Sequence, residues 1–199
     1  MKIALLNVLS KKEHKLVQGY QVAKNSIIYH EGDLCENIGI VVSGKIDIAS
    51  YSFEGKEQII NSLKAGDIFG NNLLFSSEPV YRGDVIAKEK SVIAFINKEN
   101  LVYLLQNNQD FLNSYLKAQS DKAKSLTARI QLLSFTNAEE RLFYYANKNN
   151  GVIVFKNVTT LAATIGVQRE TLSRLLTSLI KRHLIKKEKG KITVLKKKR

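Results

Sequence analysis

Residues 160–181 read TLAATIGVQRETLSRLLTSLIK, and this pattern predicts a helix-turn-helix. Apolar residues recur at helical spacing on both sides of Gly166. They are Leu161, Ala162 and Ile165 before it and Leu172, Leu175, Leu176 and Leu179 after it. Glycine adopts the positive φ that a sharp turn between two helices requires. The simpler alternative is an ordinary helical hairpin with a charged outer face.

The second helix has a polar outer face at its N-terminal end, made of Gln168, Arg169, Glu170, Ser173 and Arg174. In DNA-binding helix-turn-helix proteins this end of the second helix enters the major groove. Arg174 can donate two hydrogen bonds to guanine, and Glu170 can accept one from cytosine. Because they are four residues apart, the two side chains can instead form a weak surface ion pair. The face predicts base-specific reading of DNA.

The positive charge of the chain is concentrated in its C-terminal third. Of the net charge of +13, residues 137–199 contribute +11 from 15 Lys and Arg and 4 Asp and Glu, whereas residues 1–136 contribute +2. A basic region joined to a nearly neutral one is typical of a polyanion binder attached to a sensor. Candidate phosphate contacts are Thr159, Thr160, Lys189 and Lys191, each of which can equally be a solvated surface residue. Residues 196–199 are predicted to be a disordered, phosphate-facing cationic tail.

Residues 20–96 predict an antiparallel barrel or sandwich. Short β-branched runs alternate with turns at Gly32, Gly44, Gly55 and Gly66, which are 12, 11 and 11 residues apart. Strands at such spacing, separated by glycine turns, are typical of all-β domains. Residues 98–107 then predict a short helix.

A heptad pattern follows in a long helix. Its seam residues recur at alternating steps of four and three: Leu112, Leu116, Gln119, Ala123, Leu126, Ile130 and Leu133. This spacing predicts a two-chain coiled coil, and the alternative is a helix that lies on its own barrel. Residues 134–137 interrupt the seam and predict a hinge. Asn137 and Glu140 then predict an N-cap and its capping-box partner at the start of a new helix.

After that helix, residues 152–155 predict a short strand and residues 184–194 a basic β-hairpin wing that turns at Gly190.

The single cysteine, Cys35, indicates a reducing, cytoplasmic setting and is interpreted as a small buried residue, with a redox sensor as the alternative. No signal peptide or membrane helix is predicted. His14, His30 and His183 have no metal-site spacing, so no metal is predicted, although a haem ligand among them stays open.

The order of these elements resembles the Crp/Fnr family of bacterial transcription regulators. The most specific segment is residues 166–176, GVQRETLSRLL, which is similar to the family's recognition helix; residues 66–70, GDIFG, and 42–45, VSGK, resemble its barrel. The resemblance implies an α+β chain with an antiparallel β-roll effector domain at 1–110, a dimerisation helix and hinge at 111–136, and a winged helix-turn-helix at 137–199. It also implies a homodimer on a palindromic promoter site, with RNA polymerase as a further partner.

Within that family, Glu170 with Ser173 and Arg174 resembles the Fnr-like branch, which implies half-sites of the type TTGA and TCAA. The candidate effector pocket comprises Gly70, Asn71, Asn72, Arg82, Gly83 and Thr127. Family members that bind cyclic nucleotides present a glutamate, and then an arginine followed by Ser or Thr. Here Asn71 and Gly83 replace two of those groups, so binding of cyclic AMP is not expected and no cofactor is assigned. Arg82 is either a ligand contact or a surface arginine in an intrachain ion pair.

A second function class stays open beside the DNA-binding regulator. The chain can be a ligand-binding regulatory module whose basic C-terminal part docks to a protein or membrane. An enzyme is not predicted, because no nucleophile–base pair, phosphate-binding loop or metal cage is recognisable.

Overall fold

The computed structural model describes residues 3–195, which form two compact units divided in sequence between Ala118 and Gln119. Each unit has a hydrophobic core of its own. The division falls inside the long helix, and the domain bounds at residues 110 and 136 stay a prediction. In the C-terminal part of that helix, Gln131 accepts a hydrogen bond from the Tyr144 hydroxyl at 3.0 Å, and the Leu133 side chain lies beside Gly166.

The first unit opens with a short helix, α1 (Ala4–Asn7), and a 3-10 turn at Glu13–Leu16. Eight strands follow: β1 (Gln18–Val22), β2 (Ile27–Tyr29), β3 (Asn37–Ser43), β4 (Lys45–Tyr51), β5 (Glu57–Lys64), β6 (Ile68–Phe69), β7 (Asp84–Ala87) and β8 (Ser91–Asn97). They form two four-stranded antiparallel sheets with the orders β1-β8-β3-β6 and β2-β7-β4-β5.

One core joins the two sheets. Ile38 and Ile93 come from the first sheet and Ile46 and Val85 from the second, and all four are fully buried in the same cluster. Their β-branched side chains suit a pleated surface that is covered on one face. The predicted antiparallel β-roll is therefore confirmed.

Two helices end the sequence of the first unit. Helix α2 (Lys98–Asn107) matches the predicted range, and Asn97 caps it by accepting a hydrogen bond from the Asn100 amide at 2.8 Å. Helix α3 (Gln109–Leu133) buries Phe111 and Tyr115 in the first unit's core. Farther along α3, the seam residues Leu126 and Ile130 are 55% and 69% exposed, so this apolar stripe faces solvent in a single chain.

The second unit contains the predicted helix-turn-helix and wing. Its elements are α4 (Ala138–Lys148), β9 (Val152–Val154), α5 (Val158–Ile165), α6 (Arg169–Lys181), β10 (Ile185–Glu188) and β11 (Lys191–Val194). The three strands form one antiparallel sheet in the order β10-β11-β9, so β9 extends the predicted hairpin. The core gathers residues from every helix of the unit after α3, and Ile153 and Ile192 from the sheet.

The cytoplasmic setting predicted from Cys35 stays a prediction. Among residues 3–195, no helix is both long enough and apolar enough to cross a membrane.

Candidate nucleic-acid interface

Local hydrogen bonds fix the start of α5. The Asn157 side chain accepts a hydrogen bond from the Thr160 amide at 2.8 Å, and the Thr160 hydroxyl accepts one from the Asn157 amide at 3.3 Å. This reciprocal capping box satisfies two amides that the first helical turn leaves without partners. At Asn137 the predicted N-cap is confirmed by a bond from the Glu140 amide at 2.8 Å. The cap at Asn137 was predicted from the sequence, and the cap at Asn157 was not.

The turn between α5 and α6 requires glycine for two reasons. Gly166 has φ of 68°, the left-handed region that side chains disfavour. A Cβ at this position would also overlap a methyl group of Leu133. Leu133 was predicted in the dimerisation seam, and the structure places its side chain against this turn.

Helix α6 presents the predicted reading face to solvent. Leu172, Leu176 and Leu179 are buried on its inner side, which locks the rotation of the helix. The five predicted base-reading residues are exposed on the outer side: Gln168, Arg169, Glu170, Ser173 and Arg174. Gln168 precedes the first turn and makes no side-chain capping bond, so its amide group is available to a ligand.

Glu170 and Arg174 do not pair with each other. Among residues 3–195 the ion pairs lie elsewhere, and neither side chain takes part in one or in a side-chain hydrogen bond there. The alternative of a surface ion pair is therefore not realised in the folded chain. Both groups keep their hydrogen-bonding capacity for a ligand, which is what base reading requires.

The wing carries cations at its turn. Ile185 pairs with Val194 and Glu188 with Lys191 across the hairpin, and Lys189 lies in the turn before Gly190. Lys189 and Lys191 are exposed, as phosphate contacts must be. The Lys186 Nζ atom lies 2.9 Å from Oε1 of Glu188. This hydrogen-bonded cation lowers the pKa of the Glu188 carboxyl. The one acid of the wing is thereby neutralised by a neighbour.

Of the remaining phosphate candidates, Thr159 and Thr160 differ in availability. Both are exposed in the first turn of α5. The Thr160 hydroxyl already accepts from the Asn157 amide and donates to the Asn157 carbonyl at 2.8 Å. Thr159 is consequently the better candidate for a phosphate contact. The predicted tail at 196–199 lies outside the described residues.

The polar face of α6 extends farther than the sequence analysis assigned. A groove of about 480 Å³ runs along it, lined by Ser173, Arg174, Thr177, Ser178, Lys181 and Arg182. Thr177 and Ser178 follow Ser173 and Arg174 by four residues, so helical periodicity was the signal that would have found them. The groove adds two hydroxyls and a lysine to the polar outer face of α6.

Two arginines missed by the sequence analysis hold α6 in place. Arg182, the C-cap of α6, donates to both carboxylate oxygens of Glu139 at 2.7 and 3.3 Å, and this pairing raises the pKa of Arg182. Arg141 donates to the Gly166 carbonyl at 2.9 Å and to the Phe135 carbonyl at 2.9 Å. Arg141 thus ties the predicted hinge to the turn of the helix-turn-helix.

The candidate effector residues have less free hydrogen-bonding capacity than the outer face of α6. Arg82 is exposed and forms an ion pair with Glu78, which is the intrachain alternative stated above. Gly83 is buried, and a Cβ there would lie 2.6 Å from the Ala49 carbonyl oxygen, so no side chain fits at this position. Asn71 is 7% exposed.

Three further effector candidates complete that set. Asn72 is exposed and Gly70 is buried in the turn after β6. Thr127 is exposed on α3 and donates its hydroxyl to the Ala123 carbonyl at 3.0 Å. Thr127 belongs to the second compact unit, whereas the other candidates belong to the first.

Cys35 is 2% exposed, and burial raises the pKa of its thiol. A thiol held protonated is a poor nucleophile, which favours the interpretation as a small buried residue over a redox sensor. Its sulfur lies 3.4 Å from the Asn37 carbonyl oxygen. Within residues 3–195, no three His, Cys, Asp or Glu side chains are arranged to hold a metal ion.

Two family models match the chain. A cyclic nucleotide-binding domain matches residues 20–108, and a Crp-like helix-turn-helix domain matches residues 132–199. The "cAMP-activated global transcriptional regulator Vfr" of Pseudomonas aeruginosa is 27% identical over 185 residues, which cover 86% of each protein. The "Anaerobic regulatory protein" of Bacillus subtilis is 25% identical over 184 residues, covering 86% of this chain and 77% of the relative.

Solved structures share the fold. A CooA mutant from Carboxydothermus hydrogenoformans superposes with a TM-score of 0.68 at 20% identity, covering 98% of this chain and 92% of that one. At this identity the likeness extends to the fold alone.

Proposed function

The chain belongs to the Crp/Fnr family of bacterial transcription regulators, and we propose that it binds a palindromic promoter site as a homodimer without requiring cyclic AMP. The observation that carries the proposal is the outer face of α6. Its five polar side chains at the N-terminal end are exposed, and the leucines on its inner side hold them in one orientation.

The proposed base contacts follow from hydrogen-bond geometry. Arg174 donates two hydrogen bonds to guanine O6 and N7, and Glu170 accepts one from cytosine N4. Gln168, Arg169 and Ser173 reach neighbouring bases or phosphates. Thr159, Lys189 and Lys191 contact phosphates on either side, with Thr160 mainly stabilising the start of α5. Half-sites of the type TTGA and TCAA are the expected targets.

The proposed dimer uses the exposed stripe of α3. Leu116, Leu126 and Ile130 are 53%, 55% and 69% exposed, and they occupy seam positions of one heptad pattern. An apolar stripe of this kind is stabilised when a second copy of the helix covers it. Leu112, Gln119 and Ala123 continue the same seam. Pairing two chains this way presents two α6 helices to successive major grooves, about 34 Å apart.

Independence from cyclic AMP is supported by the β-roll. The name of the Pseudomonas relative states that it is activated by cyclic AMP, but here two of the three polar groups expected around the nucleotide are replaced. Asn71 carries no charge, and the contact with Ala49 excludes a hydroxyl side chain at Gly83. Each lost hydrogen bond to a charged group costs about 1.5–3 kcal/mol of binding. Titration calorimetry is expected to detect no micromolar binding, and such binding would contradict this part of the proposal.

Selection from a random DNA pool with the purified, ligand-free protein tests the proposal as a whole. Enrichment of a palindrome with TTGA and TCAA halves is the expected result. Enrichment of single half-sites alone would contradict the homodimer. No enrichment at low salt would contradict effector-free binding, and the selection would then be repeated with small molecules from cell extract. Failure under both conditions would favour the regulatory module that docks to a protein or membrane.

On a promoter, a regulator of this type acts together with RNA polymerase in the cytoplasm. The basic C-terminal region, with its net charge of +11 over residues 137–199, supplies the electrostatic part of DNA binding. Such binding weakens steeply as salt concentration rises, because condensed counterions are released from the phosphates.

A further inference from the structure

A groove of about 660 Å³ lies within the second unit, separate from the face of α6 that is proposed to read DNA. Residues from the C-terminal half of α3 and from α4 form its walls, and Thr164 of α5 contributes one edge. The lining residues are Lys124, Ser125, Thr127, Ala128, Arg129, Gln131, Leu132, Tyr144, Tyr145, Lys148 and Thr164. Its volume lies in the range of sites that hold small organic molecules.

The walls of this groove are largely apolar. Leu132 is 5% exposed, and Ala128 and Tyr145 also line the groove. The Tyr144 hydroxyl donates to the Gln131 side chain at 3.0 Å, which fixes that ring across the two helices. Aliphatic and aromatic walls of this kind favour a ligand with an apolar body.

The charged side chains at the groove all have the same sign. Lys124, Arg129 and Lys148 are cations, and no Asp or Glu belongs to the lining. Among residues 3–195, Lys124 and Arg129 have no ion-pair or hydrogen-bond partner for their side chains. The Lys148 ammonium lies 5.5 Å from the centre of the Tyr144 ring. Three cations lining one groove that has no carboxylate in its lining complement an anion.

The groove also stays open when the proposed coiled coil forms. With 3.6 residues per turn, Lys124, Ala128 and Gln131 lie roughly half a turn around α3 from the seam positions Leu126 and Ile130. When the α3 helix of a second chain covers the seam, the groove therefore stays uncovered, because it lies on the opposite side of the first α3 helix.

We propose that this groove binds an organic anion with an apolar body, a carboxylate on an aliphatic or aromatic skeleton. The skeleton packs against Ala128, Leu132 and Tyr145. The carboxylate accepts hydrogen bonds from the cations at the rim. The site goes beyond the proposed reading of DNA, because none of these residues belongs to the α6 face. It shares Thr127 of α3 with the candidate effector residues and none of those in the β-roll.

Titration calorimetry of the full chain with three probes tests the ligand class. Octanoate combines an apolar body with a carboxylate, octanol has the body alone, and inorganic phosphate has the charge alone. Octanoate is expected to bind at least about tenfold more tightly than either of the others, since hydrogen bonds to a charged group add that much. Octanol binding as tightly as octanoate, or phosphate binding as tightly, would overturn the proposal.

A matched pair of variants tests the location. Lys124→Gln and Lys117→Gln remove the same charge from the same helix, inside and outside the groove. Lys124→Gln is expected to weaken octanoate binding about tenfold and Lys117→Gln to leave it unchanged. Equal effects of the two would place the binding elsewhere and overturn the site.

Ala128→Phe provides a second test that keeps every charge. Filling the apolar wall is expected to abolish octanoate binding while the circular dichroism spectrum stays that of the parent protein. Undiminished binding by this folded variant would overturn the site. If Ala128→Phe does not fold, Ala128→Met is measured in its place. Loss of octanoate binding by this variant would support the site, and undiminished binding would overturn it.

Discussion

The outer face of α6 and the candidate effector residues of the β-roll differ in how the folded chain uses their polar side chains. On α6, Glu170 and Arg174 are exposed and have no partner among residues 3–195. In the β-roll, Arg82 pairs with Glu78, and Gly83 is packed against the Ala49 carbonyl. Polar groups that the fold leaves free can be satisfied by a ligand, whereas groups already satisfied must first exchange partners.

The same comparison separates two kinds of glycine. Gly166 and Gly83 both lie where a Cβ would meet another part of the protein, at Leu133 and at Ala49. At Gly166 the close contact positions a helix that faces outward to a ligand. At Gly83 it leaves no room for the hydroxyl side chain that the resemblance implies for a nucleotide-binding family member. Close packing therefore builds one site and removes a contact from the other.

The largest expected effect comes from the turn that positions α6. Gly166→Ala should destabilise the protein by about 2–3 kcal/mol, because it adds a left-handed alanine and forces the Leu133 methyl group to move aside. Gly151→Ala is the matched control: its φ is also positive, at 81°, but no atom lies within 4 Å of the added Cβ. The control should lose only about 1–2 kcal/mol. Urea unfolding measures both, and equal losses would show that the Leu133 contact does not matter.

The next effect concerns the free polar face itself. Arg174→Ala should cost about 1–3 kcal/mol of binding to the selected DNA site and relax specificity at one base pair. Fluorescence anisotropy with the selected site and its single-base variants measures both changes. Arg129→Ala, which removes an exposed arginine outside the α6 face, should leave specificity unchanged. If every base pair were weakened alike by Arg174→Ala, its role would be that of a phosphate contact.

A smaller and different effect is expected in the wing. Lys191→Ala should weaken binding to all DNA sequences alike and reduce the slope of log affinity against log salt by about 0.9, the contribution of one phosphate contact. Titrations at four salt concentrations give that slope. Lys45→Ala is the control, since Lys45 lies in the first unit beside Asp47 at 3.2 Å. A change in base preference caused by Lys191→Ala would move Lys191 into the base-reading set.

The smallest effect is expected where the fold has already paired the charge. Arg82→Ala should change thermal stability by less than about 1 kcal/mol, because exposed ion pairs contribute little. It should leave DNA affinity unchanged, and Glu78→Ala should behave in the same way. Differential scanning calorimetry and anisotropy suffice for the comparison. A loss of DNA affinity in Arg82→Ala alone would restore an effector role to this residue.

Much of the second unit followed from local pattern. The two helices around Gly166 were predicted because apolar spacing, a turn glycine and a polar face occur within 22 consecutive residues, and such signals do not depend on distant contacts. The N-cap at Asn137 was predicted because its signal is also local, and so was the helix at Lys98–Asn107 in the first unit. The capping box of Asn157 and Thr160 was equally local and was missed.

Other features depend on which distant segments meet. The order β1-β8-β3-β6 joins strands that are separated by up to some seventy residues in sequence, and no local pattern specifies it. Leu133 fits a heptad position, yet it lies against Gly166. Arg141 carries no sequence signal for the carbonyls that it contacts, since those carbonyls belong to Phe135 and Gly166.

The sequence by itself thus determined the fold class, the helix-turn-helix with its polar outer face, and the concentration of charge, because periodicity and composition are properties of neighbouring residues. Only the tertiary structure decided which of the polar groups are free. Arg82 and Arg174 are both exposed arginines, but the fold brings a carboxylate to Arg82 and none within the described residues to Arg174. Whether a charge is available to a ligand is set by the neighbours that packing supplies, and those neighbours come from the whole chain.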